Sequence, residues 1–144
     1  MSEFEISTDP NRLDVDVIYS FLSTCYWSAG IPREVVEKSI KNSLCFGVYS
    51  PESQQVGFAR MITDKATFAY LADVFILEDL RGMGLSKRLM EFIFSYPELQ
   101  GLRRMMLATR DAHSLYEKYG FTPLTNPDTF MQNWNPDVYS KSKA

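Results

Sequence analysis

The stretch EDLRGMGLS joins an apolar run, LADVFIL, to the amphipathic KRLMEFIF. A plain turn between strand and helix needs one glycine. Two glycines, Gly82 and Gly84, with Arg81 before them and Lys87 after, suit a backbone that comes close to a charged object. Amides at a helix N-terminus point outward and carry the positive end of the helix dipole. The N–H groups of residues 82–87 therefore make a cradle suited to a phosphate or pyrophosphate. Arg81, Lys87 and Arg88 stand ready to add charge. The spacing is not that of a phosphate loop ending in Gly-Lys-Ser/Thr. It also departs from the dinucleotide fingerprint G-x-G-x-x-G, since position 87 is Lys. Taken alone, the stretch reads equally as a tight turn.

Other residue types with chemical use lie nearby in sequence. Asp73 is the one acid within LADVFIL. Burying a lone carboxylate costs several kcal/mol, so it needs a partner. It either meets a cationic ligand or a relayed water, or it accepts a hydrogen bond from a tyrosine on a neighbouring strand. Tyr116 offers a phenolic proton, but a core aromatic at this place is the alternative, because Leu115 and Tyr119 flank it at helical spacing. His113, three residues earlier, has the intrinsic pKa of a base, or it is a surface residue at a helix start. Arg110 and Asp111 either clasp each other or reach the phosphate-bearing cofactor that the glycine cradle would hold. Cys25 and Cys45 lack metal-type spacing and read as buried thiols in a reducing cytosol. A single histidine argues against a zinc site.

The elements that must position these groups follow from periodicity. FEIST makes a short first strand. Val15, Ile18, Phe21, Leu22 and Cys25 recur at helical spacing over 14–26, and Pro32 opens a second helix over REVVEKSIKN. SLCFGVYS and QVGFARMIT form a hairpin across PESQQ, and TDKAT turns the chain into FAYLADVFIL. That last run is apolar almost throughout, so it belongs in the middle of a sheet covered on both faces. A third helix follows the glycines and stops near Pro97. RRMMLAT is a fifth strand. DAHSLYEKYG is a fourth helix, with Asp111 as cap and Gly120 as terminator. FTPL and TFMQNW are expected to close the sheet. The fold class is α+β: a mostly antiparallel mixed sheet of six to seven strands, with about four helices on both faces.

With 144 residues, 45% of them apolar, the chain is long enough for one core, and no linker or repeat divides it. A net charge of -3 argues against nucleic acid as a partner. No apolar run approaches the roughly 20 residues that span a bilayer, and the polar MSEFEISTDP is unlike a signal peptide. A cytoplasmic protein is expected, with a loose tail, SKSKA.

Arg81-Gly82-Met83-Gly84-Leu85-Ser86 resembles the R/Q-x-x-G-x-G/A element of the GNAT superfamily of acetyl-CoA-dependent N-acyltransferases. Leu115-Tyr116-Glu117-Lys118-Tyr119-Gly120-Phe121 is similar to that family's L-Y-x-K-x-G-F. The resemblance covers residues 46–124 and implies a single N-acetyltransferase domain. Residues 2–45 would be acceptor-side helices, 46–124 the acetyl-CoA core and 125–144 a C-terminal strand and tail. It implies that Arg81, Gly82, Met83, Gly84, Leu85, Ser86 and Lys87 hold the coenzyme's pyrophosphate. Backbone amides of Val74, Phe75 and Ile76 would hold the pantetheine arm and thioester carbonyl, with Thr109, Ala112 and Tyr119 completing the site. Tyr116 would face the sulfur as an acid.

Three departures from the family pattern stand out. Ser86 replaces a Gly or Ala, Thr109 stands where many relatives have Asn, and Ala72 stands where many carry a Glu base. The carboxylate is one residue later, at Asp73, and a one-residue shift on a strand swaps faces. Asp73 is accordingly the first candidate for base or acceptor contact, with His113 or water behind it. Tyr26, Trp27 and Phe46 are expected to box an amine by cation–π contact or else to pack, and TFMQNWNP is a further possible wall. The implied activity is acetyl transfer to a primary amine, most simply of a small molecule, by direct attack on the thioester. A non-catalytic acyl-CoA sensor is the alternative, favoured by Ala72. A homodimer is common among similar proteins.

Overall fold

A computed structural model describes residues 3–140. Its sheet runs β1 (Glu5–Ser7), β2 (Leu44–Tyr49), β3 (Gln55–Thr63), β4 (Phe68–Ile76) and β5 (Arg104–Leu107), in that spatial order. The first four strands pair antiparallel, and β5 joins β4 in parallel. The helices are α1 (Val15–Leu22), α2 (Arg33–Lys41), α3 (Leu85–Phe94) and α4 (His113–Glu117). The α+β class and the helices on both faces are as expected. The strand count is not: among the described residues the sheet has five strands, not six or seven. FTPL and TFMQNW form no ladder, and Pro127–Thr129 is a single 3-10 turn. Prolines at 123, 127 and 136 interrupt this segment, and each removes a backbone donor. Of the expected loose tail, residues 141–144 lie outside the described residues.

Local chemistry sets the helix limits. Asp14 caps α1, its carboxylate accepting the N–H groups of Asp16 and Val17. The helix ends at Leu22, four residues short of expectation, because the following turns fold back: Ser28 Oγ donates to Leu22 O at 2.7 Å. The helix α4 is shorter than DAHSLYEKYG. Asp111 does not cap it; Thr109 Oγ1 instead accepts the Ala112 N–H at 3.1 Å. Gly120 ends that turn with φ of +94°.

Two apolar cores flank the sheet. On one face, Leu85, Leu89, Met90 and Ile93 of α3 and Tyr116 of α4 pack on Phe46, Val48, Ala59, Met61, Ala69 and Leu71. On the other face, Ile18 and Leu22 of α1 and Val36 of α2 pack on Cys45, Phe58 and Phe75. The strand β4 is interior, as its apolar run predicted. The register with β3 slips within it: Arg60 faces Ala72 and Phe58 faces Phe75, so Ala59 opposes two residues, Asp73 and Val74. Asp73 has φ of +57°. This is a β-bulge with its extra residue in the left-handed region, which Asp tolerates better than most side chains.

Candidate active site

The parallel pairing of β4 with β5 covers Phe68↔Arg104 to Leu71↔Leu107 and then stops. Among the described residues, the C-terminal half of β4 has no neighbour on that side. Leu77 N donates to Val56 O on β3 at 2.8 Å. By the alternation of a strand, the N–H groups of Ile76 and Val74 point the other way, into the gap. A cleft of about 340 Å³ opens there. Val74, Phe75 and Ile76 form its floor, Gly82, Gly84 and Ser86 one end, Tyr116, Leu115 and Ala112 one wall, and Phe21 and Trp27 the opposite wall.

The glycine end fits an anionic group. Gly82 and Gly84 have φ of +84° and +81°, which a side chain resists, and a Cβ at either would meet no protein atom within 4 Å. Gly84 is the N-cap of α3 and supplies no side-chain capping bond. The first intrahelical bond there runs from Arg88 N to Gly84 O, so the amides of Leu85, Ser86 and Lys87 have no helical acceptor. The donors and the open space suit a pyrophosphate. Arg81 Nε donates to Ile76 O at 3.0 Å, tying the loop to the end of β4 and leaving the guanidinium's other nitrogens available. Lys87 and Met83 are exposed beside it, and buried Leu85 offers its amide alone. Arg88 turns away and donates to Phe4 O at 2.9 Å, so it adds no charge here.

Tyr116 sits deep in the wall, 8% exposed, and its hydroxyl has no hydrogen-bond partner among the described residues. Burial first, and the nearby Tyr26 phenol second, push its pKa up from 10.0. The phenol therefore keeps its proton throughout the neutral range, the state an acid needs.

The bulge resolves the question of faces at Asp73. Ala69 and Leu71 point into the α3-side core, and strict alternation would send Asp73 there too. The left-handed turn sends its carboxylate to the α1/α2 side. There Arg60 Nε donates to Oδ2 at 2.8 Å and Trp27 Nε1 donates to Oδ1 at 3.0 Å. Both oxygens are engaged, and the side chains of Arg60 and Asp73 are 17% and 10% exposed. With both oxygens taken, the carboxylate has no open lone pair turned into the cleft, and Asp73 is not among the cleft-lining residues. Its visible work is to anchor the loop after α1 to the bulge.

The remaining expected residues divide. Trp27 lines the cleft, and Tyr26 stands outside the lining but packs edge-on against Trp27, ring centroids 5.2 Å apart. Phe46 does not reach the cleft: it is fully buried on the α3 side, edge-on to Tyr96 at 5.3 Å and to Phe92 at 6.0 Å. A one-residue step along β2 places it across the sheet from the mouth, beyond any acceptor. Tyr119 packs on Phe94 at 5.3 Å, away from the cleft lining. Thr109 Oγ1 accepts the Ala112 N–H and keeps its own O–H to donate. His113 is exposed and outside the lining, as is the 129–136 stretch, where Phe130 lies under Arg104. Cys45 is buried with its thiol pushed up to about 12, chiefly by burial, so it is inert at neutral pH. Sequence reading missed Phe21 and Arg60 as site residues, and the expected clasp of Arg110 with Asp111 gives way to a contact with Tyr26. Phe21 stacks on Phe75 at 4.0 Å, and the Arg110 guanidinium lies 3.7 Å over the Tyr26 ring.

A glycine-cradled helix start, the free edge of a strand and a protonated phenol thus surround one cleft. Residues 41–123 match the acetyltransferase (GNAT) domain model. A Gibberella zeae protein, provisionally named an acetyltransferase, is 35% identical over 138 residues, covering 81% of this chain and 77% of that one. The crystal structure of a Xanthomonas campestris pv. campestris protein, provisionally assigned as a GNAT acetyltransferase, is 48% identical. It covers 97% of this chain and 99% of that one, with a TM-score of 0.93. A Staphylococcus aureus structure at 24% identity, with a TM-score of 0.71 over 92% of this chain and 98% of that one, shares the fold. The chain belongs to the GNAT acetyltransferase family, whose members generally use acetyl-CoA.

Proposed function

We propose that this protein moves an acetyl group from acetyl-CoA to a primary amine of a small molecule, by direct attack of the bound amine on the thioester. The observation that carries the reading is the convergence, in one cleft, of the uncapped α3 N-terminus, the unpaired edge of β4 and the Tyr116 hydroxyl. Bound acetyl-CoA supplies an activated acyl carbon. The amides of residues 85–87 and Arg81 hold the pyrophosphate end. The Val74 and Ile76 N–H groups align the arm along β4, and the one nearest the acyl oxygen steadies the negative charge that develops there. Fixed donors of this kind are typically worth about 3 kcal/mol each.

As the new C–N bond forms and the C–S bond breaks, Tyr116 would give its proton to the departing sulfur and regain one, through water, from the acylated nitrogen. The amine's own proton leaves to water. Among the described residues, no acidic side chain lines the cleft, and Asp73 is held by Arg60 and Trp27. An amine of pKa about 10.4 is free base at roughly 1 part in 2,000 at pH 7. Without a dedicated base, kcat/KM for the acceptor should climb about tenfold per pH unit below the amine's pKa. Mixing protein, acetyl-CoA and an amine panel and following free thiol tests the proposal. Thiol release that depends on amine supports it. Saturable coenzyme binding with none would favour the sensor reading, which the replacement of a glutamate by Ala72 leaves open.

A further inference from the structure

The acceptor end of the cleft has an unusual balance of groups. Its walls are aromatic: Phe21 stacked on Phe75, and Trp27 with Tyr26 at the mouth, 43% and 52% exposed. Its one nearby carboxylate, Asp73, is neutralised by Arg60. Among the described residues, no carboxylate lines the cleft itself to hold a second positive charge on an acceptor. Beside that wall lies Arg110, exposed and 3.7 Å over the Tyr26 ring that packs on Trp27, with no hydrogen bond or ion pair among the described residues. Tyr26 in turn lies close enough to Tyr116 to act on its titration. A guanidinium stacked on a ring keeps its edge N–H groups free, a rigid fork that matches a carboxylate. The stack also fixes where that fork sits relative to the phenol.

Resting on the acetyl-transfer reading, we infer that the acceptor is an amine on a flat apolar body that also bears a carboxylate, and that Arg110 receives the carboxylate. Trp27 and Tyr26 cover the body, and the amine points down toward the unpaired edge of β4. Cationic polyamines are disfavoured twice, by the absence of a free carboxylate and by repulsion from Arg110.

Phenylalanine and 2-phenylethylamine share ring and ethylamine and differ by one carboxylate, so they make the probe pair, with 1,4-diaminobutane as the cationic comparison. Thiol release from acetyl-CoA is followed for the full chain and for Arg110→Gln and Arg110→Lys at one pH. Comparing the phenylalanine to phenylethylamine ratio of kcat/KM across proteins cancels the amines' own reactivities. The ratio should fall about 10- to 100-fold in Arg110→Gln, the loss expected for one charge-assisted pair, and partly recover in Arg110→Lys. The diamine should be the poorest of the three. An unchanged ratio, or preference for the diamine, with amines still acetylated, overturns this inference alone. Absence of thiol release with every amine overturns the acetyl-transfer reading and this one with it.

Discussion

Asp73 occupies a left-handed backbone conformation inside a strand, an arrangement that persists when its surroundings hold it. Arg60 from β3 and Trp27 from the loop after α1 do so, one on each carboxylate oxygen. Asp73→Asn keeps the shape but presents an N–H₂ toward one of two donors, leaving the Arg60 charge poorly compensated. Breaking a mostly buried pair costs about 3 kcal/mol or more, which thermal melting would register. In steady-state kinetics the substitution should raise KM for the acceptor, leave KM for acetyl-CoA near wild type and preserve the rise of rate with pH. A flattened pH profile would instead make Asp73 the base. Tyr116→Phe should leave coenzyme affinity intact and lower kcat by about 10² or more. Since burial raises the phenol's pKa, any fall of wild-type kcat on the alkaline side belongs above pH 10.0 and should vanish in this variant. The phenol was legible in sequence through its motif. The role of Asp73 was not, because its partners lie 13 and 46 residues away and a bulge, not the strand's period, decides which face it takes.

The glycines between β4 and α3 act at the scale of the element. Gly84→Ala would force a side chain into φ of +81°, at a cost of about 1–2 kcal/mol. The melting temperature should fall, and the increment added by coenzyme A should shrink, because the Cβ would enter the space a pyrophosphate uses. A retained increment would place the coenzyme elsewhere. The TDKAT turn gives a control remote from the cleft. Asp64 accepts the N–H groups of Ala66, Thr67 and Phe68 and the Thr67 hydroxyl, and these bonds hold its pKa far below 3.8. A depressed folded pKa means stability that is full above pH 3.8 and lost as pH falls toward the folded value. Asp64→Ala should therefore melt lower at neutral pH, with the gap to wild type narrowing under acid and acetyl transfer unaffected. The strands, α3 and the cradle could be read from period and glycine placement. The shortness of α4 and the missing strands after it could not, since apolar runs such as FTPL and TFMQNW carry a strand's composition without a neighbour to pair with.

At the scale of the molecule, α1 and α2 bring the aromatic wall to one side of the sheet and α3 and α4 bring cradle and phenol to the other. The gap between β4 and β5 is where the two meet. Phe46 illustrates the limit of reading a site from residue type: an aromatic one strand position off points into the opposite core. No described helix is long and apolar enough to cross a membrane. The outer edge of β5 has no partner strand among the described residues, and Met131 and Trp134 near the chain's end are 97% and 70% exposed. Pairing with a second copy, as expected of this family, would cover both features. Sedimentation should then give twice the 16.6 kDa chain mass, and a single-chain mass would contradict it. The most direct test of the whole account remains amine-dependent release of coenzyme A thiol by wild type and Tyr116→Phe at saturating acetyl-CoA. Wild type should yield thiol and acetylated amine in equal amounts, and kcat should fall sharply without the phenol. Tight coenzyme binding with no thiol release in the presence of any amine would contradict it.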